Sequence, residues 1–262
     1  MQLIFKILKF EFSNVLRSKW VIFFFLFFFL TSYALFSFEN NTPKALLSLF
    51  NLTVYLVPLI SLIFGTMYFY NSREYIEMIL CQPIPRNALF IGLFLGTSLP
   101  LIISLIVGIL LPFFLFGNFS EGLNLTLLLI LISLLLTLLS IAISFLISTI
   151  ITDKVKGLSI SIFFWLITAI VFDGIMLLII YLFQDYPIEK FILVLTLLNP
   201  LDLSRTLFIL NFDISALLGL TGALFKKFYG SNLGIIISFI SLIIWIGIPF
   251  IIGLRSFNRK DF

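Results

Sequence analysis

The sequence predicts an all-α integral membrane protein, an amino-terminal interfacial amphipathic helix plus six transmembrane helices. Two observations carry that reading. Of the 262 residues 61% are hydrophobic and only 11% charged, with a mean hydropathy of +1.24, which leaves too little polar surface to coat a soluble globule of this size. Uncharged runs of about 18 residues or more recur along the chain, and only helices or closed barrels satisfy every backbone group in hydrocarbon. Strand-like alternation is absent, which leaves helices. The division is residues 1–19 as a surface helix and residues 20–262 as the spanning domain.

Wound at about 100° per residue, the first segment gathers Gln2, Lys6, Lys9, Ser13 and Arg17 on one narrow face, while Leu3, Ile4, Ile7, Leu8, Phe10, Val15 and Leu16 cover the rest. Such a helix lies on the inner leaflet with its lysines toward anionic headgroups. Glu11 falls in the middle of the apolar face, where a carboxylate needs a partner or a proton. Either the helix end is wet at this point, or Glu11 pairs with a basic group of a cytoplasmic loop. The first span has a longer uncharged core than a signal peptide and no small-x-small cleavage site after it, so it is expected to be retained.

The spans fall near residues 21–38, 45–69, 88–116, 123–151, 158–182 and 233–254, each long enough to cross. The third and fourth exceed a straight crossing and must tilt, bend or emerge, with Pro100 and Pro112 as the bends. An even number of spans puts both termini on one side. Lys6, Lys9, Arg17, Lys19, Arg73, Arg86, Lys154, Lys156, Arg255, Arg259 and Lys260 then share that side, against Lys44, Lys190, Arg205, Lys226 and Lys227 on the other. The positive-inside rule makes the termini cytoplasmic.

Between spans two and three stands "REYIEMILCQPIPR", residues 73–86. Asn71 or Ser72 is a candidate cap with Glu74 in the first turn. The helix ends before Pro83 and, at about 15 Å, is too short to cross. Its polar edge carries Glu74 and Glu77, and its apolar residues are Tyr75, Ile76, Met78, Ile79 and Leu80. The alternative is an ordinary inner loop. On the far side, residues 183–232 form one long connection. Its "FILVLTLL" is too apolar for a free loop and too short to span, so it lies in the outer interface or packs back between helices. "NPLDLSR" then turns toward solvent, and Asp202 and Arg205, three apart, pair across a helical turn. They either belong to an ordinary short helix or dock an external partner.

Asp173 stands alone among the acids of the spans, at a cost of about 2.5–3.5 kcal/mol for a central charge. It is a pathway or gating residue, or else a protonated helix-to-helix hydrogen bond. Gly92 and Gly96 make a GxxxG packing pair. The absence of His and the single Cys81 leave little for a metal site and exclude an intrachain disulfide. An intramembrane enzyme would need convergent ionisable groups that the spans lack. No G-x-x-x-x-G-K-[ST] phosphate loop occurs, so any ATP is bound by another chain.

The run from Arg73 to Gly96, with its "QP" and "GLFLG", resembles the signature of ABC type-2 permeases, although Leu93 stands where their "GKFLG" has lysine. "KFEFSNVLRSKW" is similar to their amino-terminal pattern at Glu11, Arg17 and Trp20. "VFDGIMLLII" around Asp173 and "LLNPLDLSRTL", residues 197–207, resemble the NosY-type permeases of nitrous-oxide-reductase maturation. The resemblance runs in order over nearly the whole chain. It implies an ABC type-2 exporter permease fold and a non-enzymatic transporter subunit in the bacterial cytoplasmic membrane. A second copy of the chain, a NosF-like cytoplasmic ATPase holding ATP and Mg, and a periplasmic NosD-like protein would be its partners. Its task would be export or delivery of a factor for copper-site assembly. Residues 71–87 would carry the coupling helix, with Arg73, Glu74, Ile76, Glu77, Ile79 and Arg86 toward the ATPase. Asn199, Pro200, Asp202 and Arg205 would form the periplasmic patch. A generic exporter of lipid, peptide or drug, or a membrane scaffold without transport, are the other readings.

Overall fold

The computed structural model describes residues 2–39, 41–183, 189–209 and 232–260, and among these the chain forms helices and no strands. Helix α1 (Gln2–Leu16) gives way at Arg17 to a short turn, and the Ser18 side chain accepts the Trp20 amide to start α2 (Lys19–Phe38). Asn41 caps α3 (Thr42–Asn71) by accepting the Lys44 amide at 3.3 Å. After α4 (Arg73–Leu80) the chain turns through Pro83 and Pro85 into α5 (Arg86–Phe116) and α6 (Phe119–Ile150). Asp153 caps α7 (Lys154–Leu166), accepting the Val155 and Lys156 amides at 2.8 and 3.1 Å. A π-helical turn (Ile167–Val171) joins α7 to α8 (Phe172–Leu182). Helices α9 (Glu189–Leu198), α10 (Pro200–Ile209) and α11 (Asn232–Arg259) complete the described chain.

Among the described residues, six helical segments are long and apolar enough to cross a membrane: α2, α3, α5, α6, the continuous α7–α8 and α11. They coincide with the six runs expected from the sequence. Pro100 and Pro112 lie within α5 without ending it, as Pro58 and Pro249 do within α3 and α11. In spans, neighbouring helices tolerate the backbone groups that a proline frees.

The centre of the bundle is the α3–α6 pair. On α6, Ser133, Thr137, Ser140, Ser144 and Ser148 are all buried and donate their hydroxyls back to the helix's own carbonyls at 2.7–2.8 Å. Spaced three or four apart, they leave a seam of small residues that lets helices approach closely. Gly65 of α3 lies in that approach, since a Cβ built there would come 2.1 Å from Ser144 Oγ. Gly108 of α5 admits Phe28 and Phe29 of α2 in the same way. Near the chain termini, Phe90 and Phe94 of α5 and Phe145 of α6 interleave edge to face, with Phe250 and Phe257 of α11 closing the cluster.

Along α1, Ile7, Glu11 and Val15 are buried toward the bundle, while Phe5, Phe10 and Leu16 are exposed on its other sides. The side chain of Gln2 lies outside the described residues. One sequence expectation changes. The segment "NPLDLSR" does not turn toward solvent, because α10 is buried from Pro200 to Ser204 and again at Leu207 and Phe208. Phe208 stacks face to face on Phe50 of α3 at 3.8 Å. Packing back between helices is therefore realised by α10. Residues 184–188 and 210–231 of this connection, with Lys226 and Lys227, lie outside the described residues.

Candidate functional site

Two polar constructions stand out in this apolar chain, one beside the termini and one inside the spans. At the first, α4 follows α3 after a break at Ser72, which ends one helix and begins the next without a side-chain cap bond. Its apolar stripe, Ile76 and Ile79, is 0% and 7% exposed, so both residues seat the helix and neither is available to a partner. The opposite face presents Glu74, Glu77 and Met78. Met78 is 58% exposed, because positions 74, 77 and 78 share a face at helical spacing, so it does not join the apolar side with Ile76 and Ile79. Arg73 pairs with Glu77 at 3.3 Å and reaches the Thr152 carbonyl at 3.4 Å. Arg86 points away from this face and donates to the carbonyls of Asn258 and Lys260 at 3.0 and 2.7 Å, holding the end of α11. That bond is a helix C-cap, which a cation favours.

Beside α4 lies Glu11, 1% exposed. Its partner is not the basic loop group expected from the sequence. Its carboxylate accepts the Tyr68 hydroxyl of α3, and Tyr75 of α4 lies beside it. Burial pushes the Glu11 carboxyl above the usual carboxylate range, and the two phenols pull it partly back. Burial, with Glu11 beside it, lifts Tyr75 to about 12. A phenol suits this place because it brings a donor without a second charge to desolvate. Arg17, at the end of α1, is exposed.

The second construction gathers residues from α3, the α7–α8 span and α10. Arg205 of α10 forms an ion pair with Asp173 of α8 at 3.1 Å and with Asp202 of its own helix at 3.5 Å. It also bonds the Tyr55 hydroxyl and lies over the Tyr55 ring, 5.1 Å from the centroid. Tyr55 donates to Asp173 at 3.3 Å, and Trp165 donates to the Tyr55 carbonyl at 2.9 Å. Asp173 is thus one member of an ion pair rather than an isolated acid. About nine residues, or roughly 14 Å, separate it from the end of its span. The π turn sets this geometry: it holds one residue more than an α turn and rotates the helix beyond it by about 100°.

Asn199 closes the assembly with three bonds. Its side-chain amide donates to the Thr168 carbonyl in the π turn at 2.8 Å and to Asp202 at 3.0 Å, and its oxygen accepts the Leu201 amide at 3.1 Å. Asn199 and Asp202 are buried, 1% and 8% exposed, so with Pro200 they do not form the outward docking patch expected from the sequence. Burial, reinforced by the neighbouring Asp173, drives the Asp202 carboxyl upward. Two clefts flank the ion pair. One of 320 Å³ is bordered by Asp173, Met176, Thr196, Asp202 and Arg205. The other, of 550 Å³, is bordered by Tyr55, Trp165, Ile170, Asp173, Gly174 and Leu177.

Sequence reasoning found Asp173 alone and Asp202 paired with Arg205, and missed Tyr55, Trp165 and Tyr68. Their signal was a phenol or indole inside an apolar run, since a polar tip buried there requires a partner. The arrangement offers exchange of ion-pair and hydrogen-bond partners between helices, which is the chemistry of a moving part.

No curated protein gives a significant match to the chain. A family described as ABC-2 family transporter protein matches residues 5–262, from the surface helix through α4 and the spans to the tail, and the chain belongs to that family as a membrane subunit of a transporter.

Proposed function

We propose that this chain is a NosY-like permease that works as a homodimer with two copies of a NosF-like ATPase on the side of its termini. The exposed edge of α4, Glu74, Glu77 and Met78 above a buried Ile76–Ile79 stripe, carries the reading: it is a short, braced helix with an acidic face and one flexible apolar residue, suited to a groove in a partner. That side is the cytoplasm, in keeping with the basic residues of its loops, and the membrane is the bacterial cytoplasmic membrane. ATP and Mg belong to the partner. The two segments that resemble NosY, around Asp173 and from Asn199 to Arg205, form one cluster, which supports the narrower assignment to copper-site maturation with a periplasmic NosD-like protein.

A second reading, export of an amphiphile by the same machinery, is favoured by the 550 Å³ cleft, in which a carboxylate borders Tyr55, Trp165 and aliphatic side chains. The test has two arms. Charge reversal, Glu74→Lys with Glu77→Lys, should abolish co-isolation of the ATPase while membrane insertion and oligomer size remain; full retention refutes the docking assignment. Deletion of the gene should leave nitrous oxide reductase without its copper sites. Normal enzyme in the deletion strain refutes the NosY assignment and leaves the exporter reading.

A further inference from the structure

Asp173 and Asp202 bring two carboxylates against a single guanidinium. Arg205 Nη1 lies 3.1 Å from Asp173 and 3.5 Å from Asp202, and its Nη2 is spent on the Tyr55 hydroxyl. Tyr55 and Asn199, which donate to the two carboxylates, are neutral and orient them without cancelling charge. The cluster therefore carries one negative charge more than it balances, and Asp202 is only 8% exposed. Burial beside Asp173 drives the Asp202 carboxyl upward for the same reason. Fastening α10 to α8 needs one carboxylate for one arginine. The second is surplus to that purpose, and a buried charge is kept where something neutralises it.

The two clefts meet at this surplus. The one of 320 Å³ is bordered by both carboxylates with Thr196 and Thr206, and the one of 550 Å³ by Tyr55, Leu56, Trp165 and Ile170. Asp173 and Leu177 border both, so a polar and an apolar space adjoin at one carboxylate. Each volume falls in the range of small-molecule sites, about 300–1,000 Å³. Gly174 keeps the apolar space open, since a Cβ built there meets nothing within 4 Å. Helix α8 buries none of its residues among the described part of the chain, so a molecule dissolved in the bilayer reaches this space from the side.

We propose that the paired clefts form one binding site for an amphiphilic organic cation, its ammonium group between Asp173 and Asp202 and its alkyl chain along Tyr55 and Trp165; this rests on the amphiphile-export reading and names the charge of the cargo. An anionic head would meet two carboxylates whose single cation is already committed. A neutral head would leave the surplus charge in place. A bare metal ion would leave the apolar cleft unused, and among the described residues no group of three or more metal-ligating side chains forms. Apolar burial of the chain supplies most of the affinity, while the carboxylates determine the sign of the head.

The full chain in phosphatidylcholine nanodiscs is titrated with radiolabelled dodecylammonium, dodecanoate and dodecanol, and the counts taken up by empty nanodiscs are subtracted. Dodecylammonium should bind saturably and about tenfold or more tighter than the other two. Methylammonium should need about a hundredfold higher concentration to displace it. Asp173→Asn should weaken dodecylammonium binding about tenfold, and so should Gly174→Leu, which fills the apolar cleft and leaves the ion pair intact. Should Asp173→Asn fail to fold, Gly174→Leu decides alone. Equal or tighter binding of dodecanoate or dodecanol, or unchanged binding in either variant, overturns the proposal while the amphiphile reading stands. Displacement by methylammonium or sodium at the concentration of dodecylammonium itself overturns it in favour of a small-cation site. No saturable binding of any of the three probes overturns the amphiphile reading beneath it.

Discussion

Replacement of Arg205 by Gln should destabilise the protein far more than replacement of Asp173 by Asn, and the double variant should recover part of the loss. Arg205 lies 3.1 Å from Asp173 and 3.5 Å from Asp202. Two unit charges about 4 Å apart interact by about 4 kcal/mol at an effective dielectric of about 20. The Arg205 and Asp173 side chains remain 26% and 29% exposed, so solvent screening lowers the working figure to about 2 kcal/mol. Arg205→Gln strands two carboxylates together and should cost about 3 kcal/mol. Asp173→Asn leaves Arg205 its Asp202 and Tyr55 contacts and should cost about 1 kcal/mol. The double variant should then cost about 2 kcal/mol, short of the sum of the singles by the pair's coupling. Reversible unfolding of the purified chain in bicelles by dodecyl sulfate titration gives the four free energies. Additivity within about 0.5 kcal/mol would show that the ion pair does not hold α10 to α8.

Gly65→Ala should cost about 1–3 kcal/mol by driving α3 off α6, and Ser144→Ala, which removes the oxygen 2.1 Å from the added Cβ, should restore part of it in the same titration; no rescue would mean the seam adjusts elsewhere. Asn199→Leu should orphan the Thr168 carbonyl and loosen Asp202 at a cost of about 1–3 kcal/mol, seen as faster hydrogen exchange confined to the π turn and α10. Unchanged exchange there would disprove the bracing role. In a Cys81→Ser background, a cysteine at Asn258 should react only with reagents that reach the cytoplasm and one at Asn118 with impermeant reagents from outside; labelling of both from one side would refute the six-span topology.

The spans were legible because their signal is long and additive. Each run needs only enough consecutive apolar residues, and a helix in lipid has no competing conformation. The α4 boundaries were legible for the opposite reason, since Ser72, Pro83 and Pro85 are local stops. The Asp202–Arg205 pair, three residues apart, was legible as well, but partners of charged groups distant in the chain were not. Glu11 finds Tyr68 57 residues away and Asp173 finds Arg205 32 residues away, distances at which sequence spacing carries no geometry. The π turn compounds this, because "ITAIV" has no composition that separates it from an α-helical run, and its phase shift decides which way Asp173 points. Asn199 stands at the turn between α9 and α10, and the same side chain also braces a neighbouring span.

Helix α3 joins the two constructions. Tyr55 and Tyr68 are thirteen residues apart on one unbroken helix, about 20 Å along its axis and roughly 220° around it. Tyr68 therefore turns toward α1 and Glu11 while Tyr55 turns toward Trp165, Asp173 and Arg205 on another side of the rod. Between them the rod rides on the α6 serine seam at Gly65, where the contact is close and the side chains are small. The helix is thus held by a seam of small residues at Gly65 and by directional bonds at its middle, Tyr55, and near its end, Tyr68. A rotation of α3 that disturbs the Glu11–Tyr68 bond also displaces the Tyr55 hydroxyl relative to the Arg205–Asp173 pair.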